Sequence, residues 1–298
     1  MNRRHFLQST ALAAAAFGSP LRAQAAFKLH YALASSLYGE LPLDVILGEM
    51  TTLGVTEIDL WPRKHGNQRE QVEEMGHDKF QSLLARHGVK LGGTTRYDLG
   101  PFGLDAEIDF VKKFGGSFIV TGGAGNYKVK GDALKAGVKG FVEKLKPHAA
   151  KAAELGITLA IENHVNNLID TPDSLRWLTD FAVPGVGVAF APYHLPQDTA
   201  LLGDLIRHIG PKLTLFYAWE HGMGCTKPMP KDEELQQLPG RGKLDFTPLI
   251  AALKSIQFTG PTEVFMHPTP RGIPILPTAP EVTQEINRAR AVLDALPV

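Results

Sequence analysis

The chain has 298 residues, 44% of them hydrophobic and 21% charged, with 31 Lys and Arg against 31 Asp and Glu. That length holds two ordinary domains or one barrel-type domain, and the apolar fraction is too high for a disordered chain. A net charge of zero argues against nonspecific nucleic-acid binding, the single cysteine (Cys225) excludes an internal disulfide or a multi-thiolate zinc site, and no apolar run reaches the ~20 residues of a membrane-spanning helix.

The first 25 residues read as an address. Arg3 and Arg4 form a twin pair followed by Phe6 and Leu7, then a mildly apolar stretch over 11–17 and a small-residue site at Ala23-Gln24-Ala25. The segment resembles a twin-arginine export signal, which delivers folded proteins. An Ala-rich rather than Leu-rich core and Arg22 just before the site favour that route, and Gly18-Ser19-Pro20 would break an amphipathic helix. The expectation is handling by the twin-arginine machinery, cleavage after Ala25, a periplasmic mature protein and no stable membrane anchor. The segment has three Arg and no acid, so 31 − 3 leaves 28 basic against 31 acidic residues.

From Phe27 onward, short apolar runs alternate with helical patterns. Strands are predicted at 29–33, 57–61, 90–94, 118–121, 158–162, 186–190, 213–217 and 263–266. Helices are predicted at 44–53, 78–87, 105–114 and 132–155, each followed by Gly, the usual left-handed stop. Thr171-Pro172-Asp173 opens another with a cap and a first-turn proline. Patterns at 247–256 and 279–296 complete the set. Eight strand–helix units predict a single (β/α)8 TIM barrel over residues 26–298 rather than an open doubly wound sheet. The loop after the first strand, Ala34-Ser35-Ser36-Leu37-Tyr38, is no Gly-rich phosphate fingerprint. Gly122-Gly123-Ala124-Gly125 reads as a tight turn at the barrel mouth.

Barrel chemistry collects at the C-terminal ends of the strands. Those ends carry Asp59-Leu60-Trp61, Glu162-Asn163-His164, Tyr193-His194, Trp219-Glu220-His221 and Glu263 through His267. A carboxylate within an apolar strand, as at Glu162, must be paired, hydrogen-bonded or metal-bound. Side chains alternate, so Glu162 and His164 share a face, as do Glu263, Phe265 and His267, with Glu263 deeper. Trp61 and Trp219 are candidates to stack on a sugar ring, and Arg271 to reach an anionic group or brace its loop. Glu220 and His221 are expected in solvent, and His30, His65, His77, His87, His148 and His208 are given no role.

Residues 149–164, AAKAAELGITLAIENH, resemble the fourth-helix to fifth-strand signature of the xylose-isomerase-like barrels, the sugar isomerase/epimerase superfamily. Residues 54–61, GVTEIDLW, resemble its second strand, and 240–246, GRGKLDF, its closing loop. The resemblance implies a barrel acting on a small carbohydrate by proton abstraction. It also implies a divalent metal held by Glu, Asp, His and Glu at the last four strand ends. Glu162 matches the first ligand, but Ala191 stands at the second, Tyr217 near the third and Phe265 near the fourth. A rebuilt site would use Glu162, His194 and His267 as both catalytic groups and ligands for one Mn, Fe, Co or Zn ion, or the metal is absent. Substrate contacts fall to Trp61, His164, Trp219 and Arg271. The expected function is an exported isomerase or epimerase, with a lyase sharing the first step. The alternative is a noncatalytic carbohydrate-binding or interaction protein on the same barrel.

Overall fold

The computed structural model describes residues 27–224 and 227–297. The expected export segment, its cleavage site and Cys225 lie outside the described residues. The chain runs β1 (His30–Tyr31), β2 (Leu33–Ala34), α1 (Leu43–Leu53), β3 (Glu57–Leu60), α2 (Gln68–Met75), α3 (His77–His87), β4 (Lys90–Thr95), α4 (Asp105–Lys113) and β5 (Phe118–Gly122). It continues with α5 (Gly131–Glu154), β6 (Thr158–Glu162), α6 (Pro172–Phe181), β7 (Val186–Phe190), α7 (Thr199–Ile209) and β8 (Leu213–Ala218). A short α8 (Lys231–Glu234), α9 (Thr247–Ser255), β9 (Pro261–Val264) and α10 (Ala279–Asp294) complete it.

From β2 to β9 every strand pairs in parallel with the next. The predicted first strand is broken at Ala32 into β1 and β2. β1 pairs with β9 and β2 with β3, so this interrupted strand closes the ring. The backbone N–H of Ala32 donates to the carbonyl of Thr262 at 3.1 Å and keeps the break tied to β9. The result is the single-domain (β/α)8 barrel that the alternation of patterns predicted.

Local chemistry sets the helix ends. Gly54 and Gly88 stop α1 and α3 at φ of 64° and 66°, a left-handed conformation that a Cβ disfavours. Thr171 and Ser174 form a reciprocal capping box that starts α6. Helix α7 was absent from the prediction. Leu202, Leu205, Ile206 and Ile209 bury one stripe of it, and Asp198 caps it by accepting from the N–H groups of Ala200 and Leu201.

The last strand is also corrected. It covers Pro261–Val264, not 263–266. Pro261 opens the strand, where a missing N–H is tolerated. Phe265, Met266 and His267 remain buried but lie past the strand's end, in the loop at the barrel mouth. Among the described residues, no helix is long and apolar enough to cross a membrane.

Candidate active site

The C-terminal mouth of the barrel holds a cavity of about 330 Å³. All seven residues singled out from sequence line it: Trp61, Glu162, His164, His194, Trp219, His267 and Arg271. They come from five strand ends or the loops behind them: Glu162 and His164 share the end of β6, and His267 and Arg271 share the loop after β9.

Glu162 is the last residue of β6 and is 3% exposed. The next residue, Asn163, fixes the neighbouring strand end. Its side-chain amide donates to the Ala191 carbonyl at 2.8 Å, and its carbonyl oxygen accepts from the Ala191 N–H at 2.9 Å. A 3₁₀ turn at Pro192–His194 then delivers Tyr193 and His194 into the mouth. His194 Nε2 sits 3.5 Å from Glu162 Oε1. The hydroxyl of Tyr97, two residues past β4, donates to Glu162 Oε2. Burial raises the Glu162 carboxyl to about 7, against the lowering effects of His164 and the Tyr97 hydrogen bond.

Rings build the walls. Tyr193 and Trp219 stack at 3.9 Å with an 11° interplanar angle, and Trp61 stacks on Phe265 at 5.1 Å. The imidazoles fall into two pairs, His164 with His194 at 4.0 Å and His65 with His267 at 4.4 Å. Burial is the largest cause lowering all four, taking His194 to about 3 and His65 to about 4, and the Arg271 charge adds to it at each. His164 Nδ1 lies 2.8 Å from the Val165 carbonyl, which only accepts, so Nδ1 carries the proton in the neutral ring.

Beneath this cavity lies a second carboxyl layer. Asp59 and Glu263 are both 0% exposed. Thr95 Oγ1 donates to Asp59 Oδ2 at 2.6 Å. Glu263 has no hydrogen-bond partner for either oxygen among the described residues. Burial, and then the nearby Asp59 and Glu162 carboxyls, push Glu263 well above the usual carboxylate range.

Several expectations change. His65 was given no role, yet it lines the cavity. Glu220 was expected in solvent but is 2% exposed, because the 242–244 segment folds over it and the Leu244 N–H donates to Oε2 at 2.7 Å. His221 is exposed, as expected. Tyr97 was missed, although it stands just past the third predicted strand, an end left unread. Gly122 does more than turn the chain: a Cβ there would lie 3.1 Å from the Tyr97 ring and 2.6 Å from Asn167 Nδ2. Its missing side chain is the space in which Tyr97 reaches Glu162.

A model of the xylose isomerase-like TIM barrel family matches residues 48–291, and the chain belongs to that family. The D-psicose 3-epimerase of Agrobacterium fabrum is 24% identical over 262 residues, covering 70% of this chain and 80% of that enzyme. The D-psicose 3-epimerase of Clostridium cellulolyticum H10, solved with D-tagatose, superposes with a TM-score of 0.62 at 16% identity over 89% of this chain and 97% of its own. The IolI protein, solved with a bound zinc atom, superposes at 0.65 with 17% identity, covering 88% and 96%.

The zinc in that relative raises the question of fit. Among the described residues no group of three or more His, Cys, Asp or Glu side chains is arranged to hold a metal ion. Glu162 and His194 approach one another, but His267 does not complete a triad with them. It is packed among His65, Trp61, Trp219 and Phe265 instead. Among the described residues, Glu162, His194 and His267 thus share one cavity without being gathered as a ligand triad. Ala191 brings no donor, and Phe265 stands where the resemblance asks for a ligand. The donor set does not fit a three- or four-ligand ion.

Proposed function

We propose that this chain is a sugar isomerase or epimerase that takes a small carbohydrate into the mouth cavity. Glu162 is the base that removes a proton from a carbon next to a carbonyl. One observation carries the reading: a lone carboxyl, 3% exposed and raised to about 7, faces a ring-walled cavity of about 330 Å³. A base with that value is divided between its two forms near neutral pH, where it takes and returns a proton with least penalty. The relatedness to the D-psicose 3-epimerase of Agrobacterium fabrum supports the substrate class.

The chain's own residues supply the remaining steps. Trp61 and Trp219 offer faces on which the apolar side of a sugar packs. Tyr97 donates to Glu162 Oε2 and so orients Oε1 toward His194. His194 is neutral near pH 7 and offers one N–H and one lone pair to a substrate oxygen. His164, His267 and Arg271 bound the cavity and position the sugar. After abstraction, the neutral Glu162 acid returns the proton to the adjacent carbon in an isomerisation, while His194 accepts the hydroxyl proton of one substrate oxygen at its lone pair and gives its N–H proton to the neighbouring oxygen.

The test is exchange of a carbon-bound proton with solvent. D-psicose, D-fructose and D-tagatose are incubated with the protein in D2O and followed by NMR. Exchange is expected, and Glu162→Gln should slow it roughly 10²–10⁴-fold, the usual contribution of a positioned base. Exchange at an undiminished rate in the variant would remove Glu162 from the role.

We also propose that residues 1–25 direct twin-arginine export and that the mature protein is periplasmic. Arg3→Lys combined with Arg4→Lys should hold the precursor in the cytoplasm. Normal export of that variant, measured by cell fractionation, would overturn the route.

A further inference from the structure

We propose that the substrate is a reducing disaccharide: its reducing sugar fills the mouth cavity, and the second sugar lies in an adjoining cavity beside the 242–244 segment. The inference rests on the reading of the mouth cavity as a sugar site and adds the substrate's size to it.

The second cavity has a volume of about 260 Å³, and Gln197, Glu220, His221, Met223, Lys243 and Leu244 are among the residues that line it. It adjoins the first through a contact between rings. Tyr193 lines the mouth cavity and His221 the second, and their rings meet at 5.1 Å with an interplanar angle of 35°. Trp219, which also lines the mouth cavity, stacks on Tyr193 at 3.9 Å. Trp219, Tyr193 and His221 thus form a strip of rings that runs from one cavity to the other, the kind of surface on which the C–H faces of sugars pack. At about 330 Å³ the mouth cavity stands at the small end of the ~300–1,000 Å³ usual for ligand sites. That space suits one sugar ring and leaves a second ring to the neighbouring cavity.

The walls of the second cavity are fixed in advance. Gln197 donates through Nε2 to the carbonyls of Pro192 and Leu195 at 2.8 and 2.9 Å, and its Oε1 accepts from the His221 N–H at 3.0 Å. That one side chain ties the loop after β7 to the loop after β8. Glu220 is buried, and its Oε2 accepts from the Leu244 N–H. Gly242 permits this approach, since a Cβ there would lie 2.2 Å from Glu220 Oε2 and 2.3 Å from the Gln236 carbonyl oxygen. Glu220 Oε1 is buried as well and has no hydrogen-bond partner among the described residues. Buried polar atoms are normally satisfied, and a hydroxyl of a bound sugar would supply the missing donor.

The lining matches a sugar better than an ion or a wholly apolar group. Glu220 offers an acceptor and Lys243 a donor, opposite charges that leave no excess to select an ion. Met223, 55% exposed, and Leu244 add apolar surface. A second sugar ring presents both kinds of partner, hydroxyls at its edge and C–H groups on its faces. The reacting unit is the reducing one, because the proposed proton abstraction needs a carbonyl and only that unit opens to one.

Titration calorimetry compares cellobiose, maltose and lactulose with D-glucose and D-fructose at pH 8, where the Glu220 carboxyl, raised by burial to about 7, is mostly ionised. At least one disaccharide should bind about tenfold more tightly than its own reducing-end monosaccharide, a tenfold ratio being ~1.4 kcal/mol. His221→Ala removes a ring from the strip. Glu220→Gln keeps an oxygen for the Leu244 N–H and puts a donor where the unpartnered acceptor stood. Each should weaken that disaccharide roughly three- to tenfold and change monosaccharide affinity less than about twofold. Circular dichroism confirms that each variant is folded. Equal binding of disaccharide and monosaccharide, a preference that survives both substitutions, or equal weakening of both sugars would each overturn the proposal. Phenyl β-D-glucoside binding more tightly than every disaccharide would also overturn it and assign the second cavity to an apolar group. No binding and no proton exchange with any sugar would overturn the reading of the mouth cavity itself. A disaccharide that binds tightly but exchanges no carbon-bound proton in D2O would support the two-cavity site and overturn the catalytic role of Glu162.

Discussion

Glu107 on α4 and Glu162 at the end of β6 are 2% and 3% exposed, yet they sit in opposite chemical company. Glu107 accepts from Arg69 at 3.0, 3.1 and 3.2 Å and also from Arg96, and those two guanidiniums continue to Glu73 and Asp98. Glu162 has a neutral hydroxyl and an imidazole held neutral. The chain passes from one environment to the other in a single residue. Arg96 and Tyr97 follow β4 directly, Arg96 reaching out to α4 and Tyr97 in to the cavity, as alternation along an extended chain requires. A buried carboxylate that is fully paired is a structural tie. One left with neutral partners has its proton affinity raised and becomes available for chemistry.

The comparison is broken most severely by neutralising each carboxyl in turn. Glu107→Gln leaves the buried Arg69 and half-buried Arg96 guanidiniums short of a partner and should destabilise the fold by about 3–5 kcal/mol, read from urea unfolding. Glu162→Gln should do the reverse at pH 8. The folded Glu162 carboxyl titrates near 7 against an ordinary value of 4.5, so the folded state binds more protons between those limits. Stability from this group is therefore present at low pH and is lost as pH rises through about 7. The variant should lose that part of the slope and gain on the order of 1–3 kcal/mol relative to the parent on going from pH 5 to 8. Equal destabilisation by both substitutions would show that Glu162 is a structural tie as well.

Tyr97 sharpens the difference without removing the carboxyl. Its hydrogen bond is among the influences that lower Glu162. Tyr97→Phe should therefore raise the titration of Glu162 further. With the ionised carboxylate in its proposed role as base, the rate should rise through about pH 7 in the parent and through a higher pH in the variant. A shift of about one unit is expected, since a hydrogen bond to a charged group contributes roughly 1.5–3 kcal/mol and one unit is ~1.4 kcal/mol. A pH–rate profile checks it, and an unmoved limb would mean that Glu162 is not the titrating base.

The barrel and the ring of site residues were legible in the sequence because both follow from local rules. Strand ends carry the chemistry, and glycines after helices mark their stops. What was not legible depends on contacts between distant segments. Phe265 and Met266 extend the apolar run of the last strand, but hydrophobicity reports burial and not ladder pairing, so β9 ends two residues earlier than predicted. Glu220 looks like a loop residue until the 242–244 segment closes over it. His65 lies in the loop after β3, and only the closed barrel brings it onto His267. Whether the donors gather around one point was illegible for a related reason. Position at a strand end says that a side chain reaches the mouth, not that three of them converge on one point.

The smallest expected effect concerns the far wall, where the bonds are neutral. Trp219 Nε1 donates to Gln237 Oε1 at 3.0 Å, and the same oxygen accepts from the His267 N–H at 3.2 Å. Gln237 also donates through its Nε2 to the His267 carbonyl at 3.0 Å, so it joins the ends of β8 and β9. Trp219→Phe keeps a ring against Tyr193 and leaves Gln237 bonded to His267. It should therefore destabilise the protein by only about 1 kcal/mol, the net worth of one neutral hydrogen bond. The smaller ring widens the cavity beside His194. Sugar binding should weaken a few-fold, roughly 0.5–1 kcal/mol, because an aromatic contact is reduced and not lost. That loss would appear in KM, with kcat unchanged, since the contact is made alike in the ground state and the transition state. A fall in kcat comparable to that of Tyr97→Phe would mean that Trp219 positions the reacting carbon, and the far wall would then belong with Glu162 rather than with the structural frame.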